Sequence, residues 1–293
     1  MKLHTNTESQ TLEFLSTTKK ALQAENNRNF ALAFNLYNQA LGSARNERAI
    51  VKMKARQAWC LHNVGNHKEA SGLFQSIVES HTEEPQAYVL YATYLLKTDR
   101  LKNAKTTLKK GVERFPEHLE IYLVLASILK DTERSNEAIE VLKKALSQDR
   151  LTRGNGIERK DIWAELGYLY YERGNYNSAI ASLKKSLRMS EEDEYLHYDL
   201  LAKAYLKIGD PQNAMKYIEK RLKVFGDYEP EDLIIKARAH ARMGEYQYAT
   251  ANLLQAYSIE DSLHLKNEDM VDFSFLVQSG FFNTLENFDF EEI

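Results

Sequence analysis

The side chains able to do chemistry are spread thinly along this sequence. Its eight histidines, His4, His62, His67, His81, His118, His197, His240 and His264, fall in different segments. His62 and His67 come closest. Five residues on a path from a helix into a turn is not the one-face spacing that grips a metal, and no carboxylate–histidine motif accompanies them. The single cysteine, Cys60, lies beside Trp59 in a predicted helix. One thiol makes neither an internal disulfide nor a multi-thiolate site, so we expect a small buried core residue. No glycine-rich phosphate loop, nucleophile elbow or paired-cysteine motif is present. Acidic pairs such as Glu191-Glu192 suit helix starts, where negative charge meets the positive end of the helix dipole. Lysine pairs recur at Lys109-Lys110, Lys143-Lys144 and Lys184-Lys185, with Glu113 and Glu140 nearby and no interleaved aromatics. They read as a solvated outer face, with RNA binding the weaker alternative. No convergent catalytic set assembles, so the sequence predicts no enzyme, no metal and no cofactor.

Composition narrows the class further. Hydrophobic residues make up 43% and charged residues 28% of the 293, ordinary for a soluble globular protein. Only 4 prolines and 12 glycines occur, which suits long helices with breakers confined to turns. A net charge of −3 gives no reason to expect nucleic acid or an anionic membrane. Met1 to Gln10 is polar without an apolar signal core, and no stretch approaches a membrane span, so a cytoplasmic location is expected.

Self-similarity decides how these residues are positioned. Small residues recur at Ala33, Ala70, Ala104, Ala138, Ala179, Ala214 and Ala249, at intervals of 37, 34, 34, 41, 35 and 35. Four positions on stand Tyr37, Phe74, Leu108, Leu142, Leu183, Ile218 and Leu253; seven on, small residues are common, as at Ala40, Gly111, Ala145, Ser186 and Ala256. That spacing marks one helix face. Twelve positions upstream lie Ala21, Ala58, Ala92, Ala126, Gly167, Ala202 and Ala237, marking a first helix that the second approaches closely. Between the two comes a turn signal such as Gly65-Asn66, Gly174-Asn175, Gly209-Asp210 or Gly244-Glu245.

The run Trp163, Leu166, Gly167, Tyr170, Gly174, Tyr176, Ala179 resembles the tetratricopeptide-repeat pattern at each diagnostic place, and Pro85 and Pro116 fall where that family closes one repeat and opens the next. The resemblance covers about residues 12–260. It implies an all-α, right-handed superhelical solenoid of about seven helix–turn–helix units that stack as one quasi-linear array. Lys20, Gln57, Lys236 and Arg221 depart from the pattern and predict looser edges in their units. An insertion at 151–159, carrying Gly154-Asn155-Gly156, is expected to bend the array without making a domain boundary.

In this family the first helix of each unit lines a concave surface. The resemblance therefore places Trp59, His62, Val89, Leu96, Leu123, Tyr168 and Tyr171 in a groove, with Lys203, Lys207, Arg238 and Arg242 at its far end and Asp199 and Glu231 as partial neutralisers. Aromatics offer contact area and arginines pair with carboxylates, so the expected ligand is a partner's peptide or helix, with an acidic segment suiting the basic end. The places used by the chaperone-tail clamp of some relatives hold Thr18, Leu22, Ala55, Trp59, Val89 and Thr93, so that clamp is not predicted.

Beyond the repeats, Asn267 to Ser279 reads as an amphipathic helix with Met270, Phe273, Leu276 and Val277 on one side. Phe281, Phe282, Leu285, Phe288 and Phe290 follow. This part resembles the end segment of bacterial repeat arrays and is expected to cap the stack. The alternative is a docking motif at Phe288, Asp289, Phe290, Glu291 and Glu292, self-association through this tail included. The expected organisation is a disordered tail over 1–11, the array over 12–261 and the cap and acidic-aromatic tail over 262–293. The expected role is a non-enzymatic protein–protein interaction scaffold, with a small-ligand or nucleic-acid module using the same concavity as the alternative.

Overall fold

Pairs of small and large side chains dictate where helices meet, and every such pair is sealed from water. The seven alanines from Ala33 to Ala249 and the seven large partners four residues on all have 0% exposure, as do Ala21, Ala58, Ala92, Ala126, Ala202 and Ala237. Methyl-sized faces let the two helices of a hairpin approach until the large residue of one fills the gap beside the other. The computed structural model describes residues 2–80, 83–148, 157–191, 197–226, 228–260, 263 and 265–278. Helices account for all regular elements among these residues.

The chain divides into two compact units, Met1–Ile157 and Glu158–Ile293. The first holds four hairpins: α1 (Lys2–Asn26) with α2 (Phe30–Ser43), α3 (Glu47–Asn63) with α4 (His67–Ser80), α5 (Gln86–Lys97) with α6 (Leu101–Arg114), and α7 (Leu119–Asp131) with α8 (Ser135–Leu146). The second holds three: α9 (Arg159–Glu172) with α10 (Tyr176–Met189), α11 (Tyr198–Lys207) with α12 (Pro211–Phe225), and α13 (Pro230–Arg242) with α14 (Tyr246–Ile259). Two short helices follow, α15 (Asn267–Asp272) and α16 (Ser274–Gln278). The division falls at the long 41-residue interval, where a bend without a boundary was expected. Residues 151–156 of the insertion and the tail motif at 288–292 lie outside the described residues.

Each hairpin turn is closed in one way. Five residues before every marker alanine, one residue takes positive φ: Gly65, Gly174, Gly209 and Gly244, but also Arg28 at 58°, Asp99 at 57° and Glu133 at 58°. The turn geometry is thus constant, and glycine is used in only four of seven repeats. In three hairpins the next helix is started by a side-chain cap: Asn29, Asn175 and Asp210 each accept from an N–H three residues on, and Pro211 opens α12.

Two boundaries differ from expectation. Helix α1 begins at Lys2 where a disordered tail over 1–11 was expected, because a polar sequence without a breaker continues a helix nucleated further on. The C-terminal helix is split: Phe273 interrupts it, with 0% exposure, and with Leu276 packs against Leu233, Ala237, Ala249 and Leu253 of α13 and α14. The departures from the repeat pattern have local partners. Gln57 is buried with its amide donating to Asn38, and Lys236 lies 5.0 Å above the Tyr228 ring with Nζ 2.9 Å from its hydroxyl. Arg221 donates to the carboxylate of Asp232.

Candidate partner-binding groove

In the C-terminal unit, α9, α11 and α13 are the first helices of consecutive repeats. Residues three or four apart on each share a face, and those faces converge on an open pocket of about 760 Å³. Tyr168 and Tyr171 come from α9, Asp199, Leu200 and Lys203 from α11, and Glu231, Ile234, Ile235 and Arg238 from α13. Leu200, Ile234 and Ile235 are buried and make an apolar floor, while Tyr168 is 38% exposed at the wall. Lys266 and Asp269, around the start of α15, also line the pocket.

Lys203, Arg221 and Arg238 in this wall are held by carboxylates of the same unit. Lys203 donates to Glu231 at 2.8 Å and to Asp199 at 3.4 Å. Burial alone would lower the Lys203 pKa, but the bond to Glu231 and the two carboxylate charges outweigh it and raise it. That bond to Lys203 holds Glu231 below its ordinary value, whereas burial pushes Asp232 upward despite Arg221 beside it. Arg238, with its side chain only 6% exposed, donates to Asp269 and to Asp272, each at 2.7 Å. Arg242 donates to Asp272 at 2.7 Å and also to the carbonyl of Leu206. The short helix α15 thus brings two carboxylates onto the two arginines of α13.

The structure gathers Tyr168, Tyr171, Lys203 and Arg238 of the predicted groove set into one pocket. Lys207 lies 5.9 Å over the Tyr176 ring and Arg242 at the α15 contact; neither lines that pocket. The remaining members belong to the N-terminal unit. Trp59 meets Phe74 and Tyr94 edge-on, with Lys97 Nζ 5.0 Å over its ring. His62 Nδ1 stands 3.0 Å from His67 Nδ1, and burial, with the neighbouring imidazole, holds the His62 pKa below its ordinary value. Val89 is buried and Leu123 half-buried. Among the lysine pairs, Lys143 bonds Glu140 at 2.9 Å and Lys185 lies 4.0 Å over the Trp163 ring.

Sequence reasoning missed the acidic rim: Glu172, Glu229, Glu260 and Asp269 also line the pocket. Glu229 is the N-cap residue of α13, in a reciprocal box with Asp232, so a capping signal pointed to its helix but not to the cavity. Arg221 was visible only as a departure from the repeat.

Two family models described as tetratricopeptide repeat match residues 117–192 and 164–230. A third, for anaphase-promoting complex, cyclosome, subunit 3, matches residues 63–145. No curated protein is similar enough in sequence to match. Among solved structures, the chain is similar to the C-terminal part of a repeat-containing protein from Cytophaga hutchinsonii, with a TM-score of 0.59 and 18% identity over 87% of this chain and 98% of that one. It is also similar to PilW, a type IV pilus biogenesis factor, with a TM-score of 0.56 and 16% identity over 73% and 96%. A third is YrrB, described as having an unusual peptide-binding site, with a TM-score of 0.54 and 17% identity over 64% and 93%. At such identities the likeness is one of fold.

Proposed function

We propose that this chain, which belongs to the tetratricopeptide-repeat family, is a non-catalytic adaptor that holds an extended or helical segment of a partner protein in the pocket of its C-terminal unit. One observation carries the reading. Three consecutive first helices converge on an open cavity of about 760 Å³ with an apolar floor and a tyrosine wall, within the size range of pockets that accept a few side chains of a ligand. Repeat arrays use such surfaces for protein partners, and YrrB, with a related fold, is a peptide binder by its description. We assign the groove to the C-terminal unit, where the pocket lies; Trp59 and Val89 pack against neighbours within the N-terminal unit.

A photo-crosslinking amino acid at position 168, compared with one at the exposed Tyr248 of α14, tests this. The reading predicts discrete protein adducts in native lysate from position 168 that are absent from position 248. Equal adduct patterns at both positions would remove the pocket as the docking site.

A further inference from the structure

The charge of the pocket is opposite to what its basic residues suggest when they are counted from the sequence. Among the described residues lining it, seven carboxylates stand against four lysines and arginines. Three of those cations are already engaged. Lys203 is bound by Glu231 and Asp199, Arg221 by Asp232, and Arg238 by Asp269 and Asp272. The fourth, Lys266, is exposed, and its charge adds to that of Lys203 in holding Glu231 below its ordinary value. Glu172 and Glu260, by contrast, are exposed and take no side-chain partner among the described residues. Both stand at helix C-terminal ends, Glu172 in the last turn of α9 and Glu260 directly after α14, where the partial negative charge of the helix adds to theirs. Tyr168 and Tyr171 supply aromatic faces in the same cavity, and such faces attract cations as well as apolar groups.

We infer that the segment this pocket takes is cationic: a stretch of a partner protein that sets lysine or arginine beside apolar residues. The inference rests on the docking reading above and adds its chemistry. Apolar side chains of the segment cover Leu200, Ile234 and Ile235, while its ammonium or guanidinium groups meet Glu172, Glu260 and the tyrosine faces. An acidic segment would have to strip Lys203 or Arg238 from carboxylates that hold them at 2.7–3.4 Å, and would bring like charge against the rest of the wall. The same holds for the chain's own acidic C-terminal residues Asp289, Glu291 and Glu292. By holding Arg238 and Arg242, α15 sets the sign of the site.

A random displayed-peptide library selected against the full chain tests the inference. A crosslinker at position 168 reports where the enriched peptides sit. The expected pool is net positive, crosslinks from position 168, and binds at least about tenfold more weakly to the Glu172→Lys/Glu260→Lys variant. If that variant does not fold, Glu172→Gln/Glu260→Gln replaces it, with the same direction of change. A net-negative or neutral pool that still crosslinks from position 168 overturns the cationic assignment and leaves the docking reading standing. So does a positive pool whose affinity is unmoved by the substitutions. A pool that crosslinks elsewhere, or no enrichment at all, overturns the docking reading and the inference with it.

Discussion

Cys60 shows how much a single position reveals. The thiol is 1% exposed, and burial, with the nearby Glu25 charge, pushes its pKa up to about 11. At pH 8 about one thiol in a thousand would be ionised in the fold, against about one in ten in the unfolded chain. We therefore expect maleimide or disulfide-reagent labelling at pH 8 to follow unfolding, with labelling of the folded protein slower by at least about a hundredfold. Stoichiometric labelling at the free-thiol rate in native buffer would contradict this. The folded pKa is the higher one, so the stability this residue contributes is full below pH 9 and is lost as the pH rises toward 11. Residue types alone made Cys60 legible as core, because a small apolar side chain on a helix face has few other uses. The electrostatics of Arg238 and Arg242 were not legible. Their partner Asp272 lies 34 and 30 residues away, in a segment with no repeat, so no periodicity relates them.

Helices and turns were the most legible level, since small–large spacing and turn position repeat in phase seven times. What the pattern could not supply was the backbone angle of a non-glycine turn. Arg28, Asp99 and Glu133 occupy the same left-handed position as Gly65 and Gly174, at a conformational cost that glycine does not bear. Glu133→Gly is expected to raise the stability of the N-terminal unit by about 0.5–1 kcal/mol, read by urea unfolding. A loss of stability would mean that this turn is not held at positive φ. Gly167 offers the opposite case. It stands where other repeats carry alanine, yet a Cβ there would meet Leu183 Cγ at 2.5 Å, and Leu183 is fully buried. Gly167→Ala should destabilise the C-terminal unit by about 1–3 kcal/mol through overpacking. A neutral or stabilising result would show that α9 and α10 relax without loss. The split of the C-terminal helix at Phe273 was hidden for a related reason. A continuous apolar stripe predicts one helix, whereas Phe273 breaks it and packs among residues of α13 and α14 that lie far from it in sequence.

At the scale of the whole molecule, the repeats build two compact units, and the candidate site belongs to one of them. Fold class was readable because each repeat buries its face only against neighbours, a requirement written into every interval. Site chemistry was readable in part: Tyr168, Tyr171, Lys203 and Arg238 do meet in one cavity, but as members of a wall whose charge is set by carboxylates from helix ends and from α15. The most direct test is calorimetric titration of one selected peptide into the full chain and into its Tyr168→Ala/Tyr171→Ala variant. Removing two aromatic contacts from a docking pocket should weaken binding by about ten- to a hundredfold in a variant whose helical content is unchanged, with a modest fall in melting temperature because Tyr171 also packs on the core of its unit. Unchanged affinity in a folded variant would contradict the claim that this pocket is where the partner is held.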